Sequence, residues 1–156
     1  MTGFTTAFPT STKGELPQAV HNFTITTGNV FKLALGIATG SLTGTYGAAT
    51  TNYSNLTGNS DEVANGSGYT TGGFAWTAAQ NLTPLTSGTG AYWQWSVNPS
   101  WTSASFTTSG CIIYNSSQSN KAVYVGSFSG NQAVTSGTLT LVQPTNGVGT
   151  SLLQLN

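Results

Sequence analysis

The run Ala91-Tyr92-Trp93-Gln94-Trp95-Ser96-Val97 alternates strictly. Trp93, Trp95 and Val97 fall on one face, and Tyr92, Gln94 and Ser96 on the other. That is the period-two pattern of a half-buried β-strand. Asn98-Pro99 ends it. Downstream, residues 101–108 repeat the alternation with Phe106 as the main apolar member. Gly110-Cys111-Ile112-Ile113-Tyr114 is continuously apolar, as in a strand buried on both faces. Two further strands are expected over residues 121–128 and 137–142, separated by Gly130-Asn131, and a short closing edge strand over 151–155. Upstream, residues 73–79 carry Phe74 and Trp76 on one face. Residues 29–36 form the first clear strand, with Val30, Lys32 and Ala34 facing one way and Phe31, Leu33 and Leu35 the other.

Helical signals are few. Thr12-Lys13-Gly14-Glu15 matches a capping box, with Thr12 as N-cap, and opens a short helix toward His21 that Gly14 and Pro17 weaken. Residues 59–64 can form one helical turn before Asn65-Gly66-Ser67-Gly68, a strong turn signal. Seven to nine short strands with Gly/Asn/Ser turns and no alternating helices predict an all-β fold: an antiparallel β-sandwich or jelly-roll-like domain with one or two short helical turns. Residues 1–10 read as an N-terminal arm and 11–156 as a single β-sandwich domain. Phe4 and Phe8 on a free arm would be a liability, so the arm is expected to dock.

Composition narrows the function. The chain has 156 residues, of which Thr, Gly, Ser and Asn make up about half; three Lys balance three acids, and charged residues are 4%, against about 25% in an ordinary domain. A zero net charge without Arg argues against nucleic-acid binding, which needs a basic footprint. No run approaches a bilayer span, and the first residues carry no signal-peptide pattern. One cysteine excludes an internal disulfide. Low charge also removes the repulsion that keeps copies apart, which fits a protein made for an assembly; the alternative is a monomer with polar, uncharged surfaces.

Catalytic signals are sparse. His21, the one histidine, lies in no triad-like motif and reads as a structural residue. One His, one Cys and three acids give no metal-ligand spacing, and no cofactor is implied. Cys111 sits in an apolar run and reads as a small buried hydrophobe. A small hydrolase is therefore disfavoured. Tyr92, Trp93, Trp95 and Trp101 invite a sugar-stacking reading. The competing reading, favoured for Trp93 and Trp95, is that they fill the core; Tyr92, on the opposite face, is the better contact candidate.

One group of proteins shares an ordered set of these motifs. The series Phe8-Pro9-Thr10-Ser11, His21-Asn22-Phe23, Phe31-Lys32-Leu33-Ala34-Leu35, Asp61-Glu62-Val63, residues 68–73, Trp101, residues 110–115 and Lys121-Ala122-Val123 resembles small virion structural proteins of tailed bacteriophages. The resemblance implies a non-enzymatic head decoration (cement) protein. It would bind the major capsid protein on the outer capsid lattice, as a homo-oligomer with a trimer at three-fold positions, after synthesis in the host cytoplasm. Neither nucleic acid nor membrane would be a partner. The expected protein-interface residues are Phe4, Phe8, Tyr46, Tyr53 and Tyr92, with the arm laid on a neighbouring subunit. The alternative is a tail or fibre adhesin contacting host glycans through Tyr46, Tyr53 or Tyr92.

Overall fold

The apolar run 110–114 lies inside a four-stranded sheet. The computed structural model describes residues 3–145 and 151–155. Its strands are β1 (Gly3–Phe4), β2 (Phe31–Gly36), β3 (Thr45–Tyr46), β4 (Phe74–Trp76), β5 (Leu85–Ser87), β6 (Gly90–Trp93), β7 (Ser100–Asn115), β8 (Lys121–Thr140) and β9 (Leu153–Leu155); the helices are α1 (Thr10–Glu15) and α2 (Ser54–Gly58). The main sheet has the order β4-β2-β7-β8, every neighbouring pair antiparallel. A second antiparallel sheet has the order β5-β6-β9, and β1 pairs with β3 in parallel.

The expected all-β, sandwich-like architecture is what the chain adopts. Phe31, Leu33, Leu35, Cys111 and Ile113 leave one face of the main sheet and pack with Trp93, Trp95 and Leu153 of the second layer. The opposite face presents Ala34, Ile112, Tyr114 and Val125 to Leu42, Tyr46 and Leu56. Alternate side chains of β2 therefore enter two different cores, as period two requires. Both faces are covered, which is why residues 109–115 are buried without a break. Trp76 and Trp95 stack at 4.4 Å and 13° in the first core, and large aromatics dominate such cores because each removes some 150–250 Å² from water.

Several local expectations change. The two runs 101–108 and 110–114 are one strand of 16 residues, and 121–128 continues into 137–140 as one strand of 20 residues. Gly130-Asn131 is an irregularity within β8, where the ladder slips between Thr108 and Gly110, and Gly130 takes φ +142°. A bulge absorbs extra residues without ending a strand. Residues 73–79 shrink to β4, followed by a 3₁₀ turn over Ala78–Gln80 that carries a true capping box between Thr77 and Gln80. The expected box at Thr12 does not form: α1 begins at Thr10 with Pro9 at its N-cap. The Thr12 hydroxyl instead donates to the Ala122 carbonyl at 2.6 Å, tying α1 to β8. The helical turn expected over 59–64 is replaced by α2 immediately upstream, and Glu62 bridges to Gly36. The strand over 91–97 stops at Trp93, with Trp95 held by a bridge to Asn81.

Candidate functional site

Few side chains in this molecule can ionise, so their positions frame any chemistry. Glu15, at the end of α1, receives Lys121 Nζ on one oxygen and His21 Nε2 on the other, the latter at 2.9 Å. Asn115 Nδ2 lies 3.0 Å from His21 Nδ1. Asn115 can only donate there, so Nδ1 accepts and Nε2–H donates to Glu15, which is the neutral tautomer. Burial penalises the imidazolium and holds the His21 pKa below its ordinary value, against the pull of Glu15. The His21 side chain is 0% exposed. A hollow of about 420 Å³ lined by Ala19, His21, Asn22, Phe23, Thr24 and Pro84 adjoins it, yet both ring nitrogens are already engaged. A general base needs a nitrogen within reach of the substrate proton, and this one is spoken for on both sides.

The two remaining acids are braced in the same way. Asp61 is 0% exposed. It accepts from the Thr43 and Gly44 amides, the Thr43 hydroxyl and the Tyr46 hydroxyl. Burial pushes its pKa up, but these donors outweigh burial and hold it below the usual carboxylate value. Glu62 accepts from the Tyr53 and Tyr69 hydroxyls and the Gly72 amide. Burial followed by these carboxylates pushes the Tyr46, Tyr53 and Tyr69 hydroxyls far above their ordinary pKa. Cys111 is buried beside Gly126, and desolvation pushes its thiol up to about 12. Among the described residues, no group of three or more His, Cys, Asp and Glu converges, and no helix is long and apolar enough to cross a membrane.

The five expected interface residues do not gather into one patch. Tyr46 is fully buried, and Tyr92, expected to face outward, is 6% exposed. Its strand is covered on both faces, which the alternation alone did not reveal. Tyr53 is half-buried and stacks on Tyr114 at 4.4 Å. Phe8 packs against the first core. Phe4 stacks on Tyr46 at 4.7 Å and lies over Gly36 and Gly110. The arm expected to reach a neighbour thus docks on its own chain: Ala7 and Val125 exchange backbone bonds at 2.9 Å, and the Thr10 amide donates to Ala48.

The free surface is of another kind. From Ser127 onward β8 is mostly exposed and carries no charge; Ser, Thr, Gly, Asn and Gln predominate, with Phe128, Ala133, Val134 and Leu139 between them. Sequence reasoning split this strand and so missed it as a surface; the absence of charge between Lys121 and Thr140 was its available signal. Among the described residues the exposed large apolar side chains are Ile25, Leu85 and Val142, none of them aromatic. An apolar groove of about 460 Å³ runs beside β8 between Tyr124, Phe128, Leu141 and Leu152, with Val142 at its rim. Compared with known proteins, the chain significantly matches no family model, no curated protein and no solved structure.

Proposed function

We propose that this chain is a non-enzymatic bacteriophage virion structural protein: a decoration protein that sits on the outer face of the major capsid lattice as a homo-oligomer. The observation that carries the reading is the use made of ionisable groups. Glu15, Asp61, Glu62 and His21 are each fixed by partners of the same chain. They brace loops and strand ends, and none is presented to a substrate. What faces outward is a hydroxyl-rich surface with few charges, Lys13 among them, led by the long uncharged edge of β8. Such a surface suits many weak contacts repeated by symmetry. The placement on a phage head comes from the resemblance in sequence motifs.

The adhesin alternative has less support. Sugar stacking needs an open aromatic face, and all four Trp together with Tyr46, Tyr69, Tyr92 and Tyr114 are buried.

Mass spectrometry of separated heads and tails from purified particles tests the proposal. The expected result is the chain in the head fraction at a fixed ratio to the major capsid protein. Recovery with tails alone, or from neither fraction, overturns it.

A further inference from the structure

Phe4 occupies a socket that two facing glycines create. Gly36 on β2 and Gly110 on β7 are register partners. A Cβ on Gly36 would stand 2.2 Å from the Phe4 ring, and one on Gly110 would stand 2.3 Å from it. Tyr46 forms the wall. Glycine weakens a strand interior and often marks a close approach; here the two admit one aromatic ring.

The segment carrying that ring is thinly held. β1 is two residues long, and a pairing that short is marginal by itself. Thr5 and Thr6 are exposed. Beyond the Phe4 ring, the segment is joined to the body by the Gly3 and Thr5 amides, the Ala7–Val125 pair, and the Thr6 hydroxyl, which meets the Ser127 amide and the Tyr124 side chain. An identical segment from another molecule would make the same bonds. Residues 1–12 carry no charged side chain, so nothing repels it. The anchor behind the segment is firm: Pro9 is buried, and Thr12 ties α1 to β8.

We propose that residues 3–7 are an exchangeable strap, and that copies of this chain join by seating the strap of one in the Gly36–Gly110–Tyr46 socket of the next. Pro9 is the pivot. Five residues reach at most roughly 18 Å, so donor and acceptor lie in direct contact, along the exposed edge of β8. A head-to-tail exchange of this kind closes into a ring when the rotation allows. The proposal deepens the assembly reading and rests on copies associating.

Two single variants of the full chain, Thr6→Cys and Ser127→Cys, are co-expressed with different tags and oxidised. Both positions are exposed, and the Ser127 amide lies 3.1 Å from the Thr6 hydroxyl oxygen. A disulfide joining the two tags can form at this contact only if the strap crosses between copies. The expected result is a reductant-sensitive species carrying both tags, reduced at least tenfold when Gly36→Ala is added to both chains. The three atoms nearest a Cβ on Gly36 all belong to the Phe4 ring, the first at 2.2 Å, so Gly36→Ala closes the socket. Absence of the mixed disulfide, while a chain with both cysteines closes on itself, overturns the proposal; so does a mixed disulfide indifferent to Gly36→Ala. Light scattering separates the two readings. Oligomers without the mixed link sink the strap and spare the assembly, whereas a monomer at every concentration sinks both.

Discussion

The Tyr46 hydroxyl donates to Asp61 Oδ2 across 2.6 Å, between two side chains that are both fully buried. Tyr46 stands on β3 and Asp61 in the loop after α2, so this bond fixes how the second core closes. Asp61→Ala leaves the Thr43 and Gly44 amides and the Tyr46 hydroxyl without their acceptor. It should cost about 3 kcal/mol or more in urea unfolding. Tyr46→Phe removes one charge-assisted bond and should cost about 1.5–3 kcal/mol.

Stability should fall in two steps on acidification. His21 titrates below its ordinary value in the folded chain because burial disfavours the charged ring. The unfolded chain binds that proton at about pH 6.5. Stability is therefore full above this pH and declines below it, since the unfolded state gains the proton first. Asp61 and Glu15 are also held low: burial raises each, and hydrogen bonds and Lys121 outweigh it. Their contribution is present above about pH 4 and lost as pH falls further. Thermal midpoints from pH 8 to pH 3 should show both declines, and His21→Gln should remove the first while the part of the second carried by Asp61 remains.

Two glycines should respond with opposite signs. Gly73 has φ +75°, and a Cβ there would lie 1.8 Å from the Leu33 carbonyl oxygen. Gly73→Ala should cost several kcal/mol, about 3 or more, through backbone strain and displacement of β2. Gly14 sits inside α1 with nothing within 4 Å of a Cβ. Gly14→Ala should stabilise by up to about 1 kcal/mol. Paired denaturation curves check both.

Trp95 is 2% exposed, stacks on Trp76 and donates from Nε1 to Asn81 at 3.0 Å. Trp95→Ala should cost about 3–5 kcal/mol through the cavity and the orphaned amide. Trp93→Ala, at 6% exposure, should fall in the same range. A cost under about 1 kcal/mol for either would place it outside the core.

The alternation at Phe31–Gly36 and the apolar run at 110–114 were legible because side-chain period and burial are local properties. The joining of β7 and β8 into long strands was not. Gly130-Asn131 looks like a turn from composition, and only the cross-strand ladder makes it a bulge. Tyr92 misled for a related reason: period two separates two faces but does not say that both are covered. Asp61 and Glu62 read as part of one helical turn over 59–64, whereas donors outside that turn, Thr43 before it and Tyr69 after it, fix them as braces. The glycine pair under Phe4 was invisible, since its meaning depends on the register of β2 with β7.

Glu15, Asp61, Glu62 and His21 hold the chain's own shape; the proposed function requires that neighbours hold its surface. Cryo-electron microscopy of the intact particle tests that most directly. The predicted result is density for this fold in many symmetry-related copies on the head shell, touching the major capsid protein. Particles whose heads are bare of it would contradict the account.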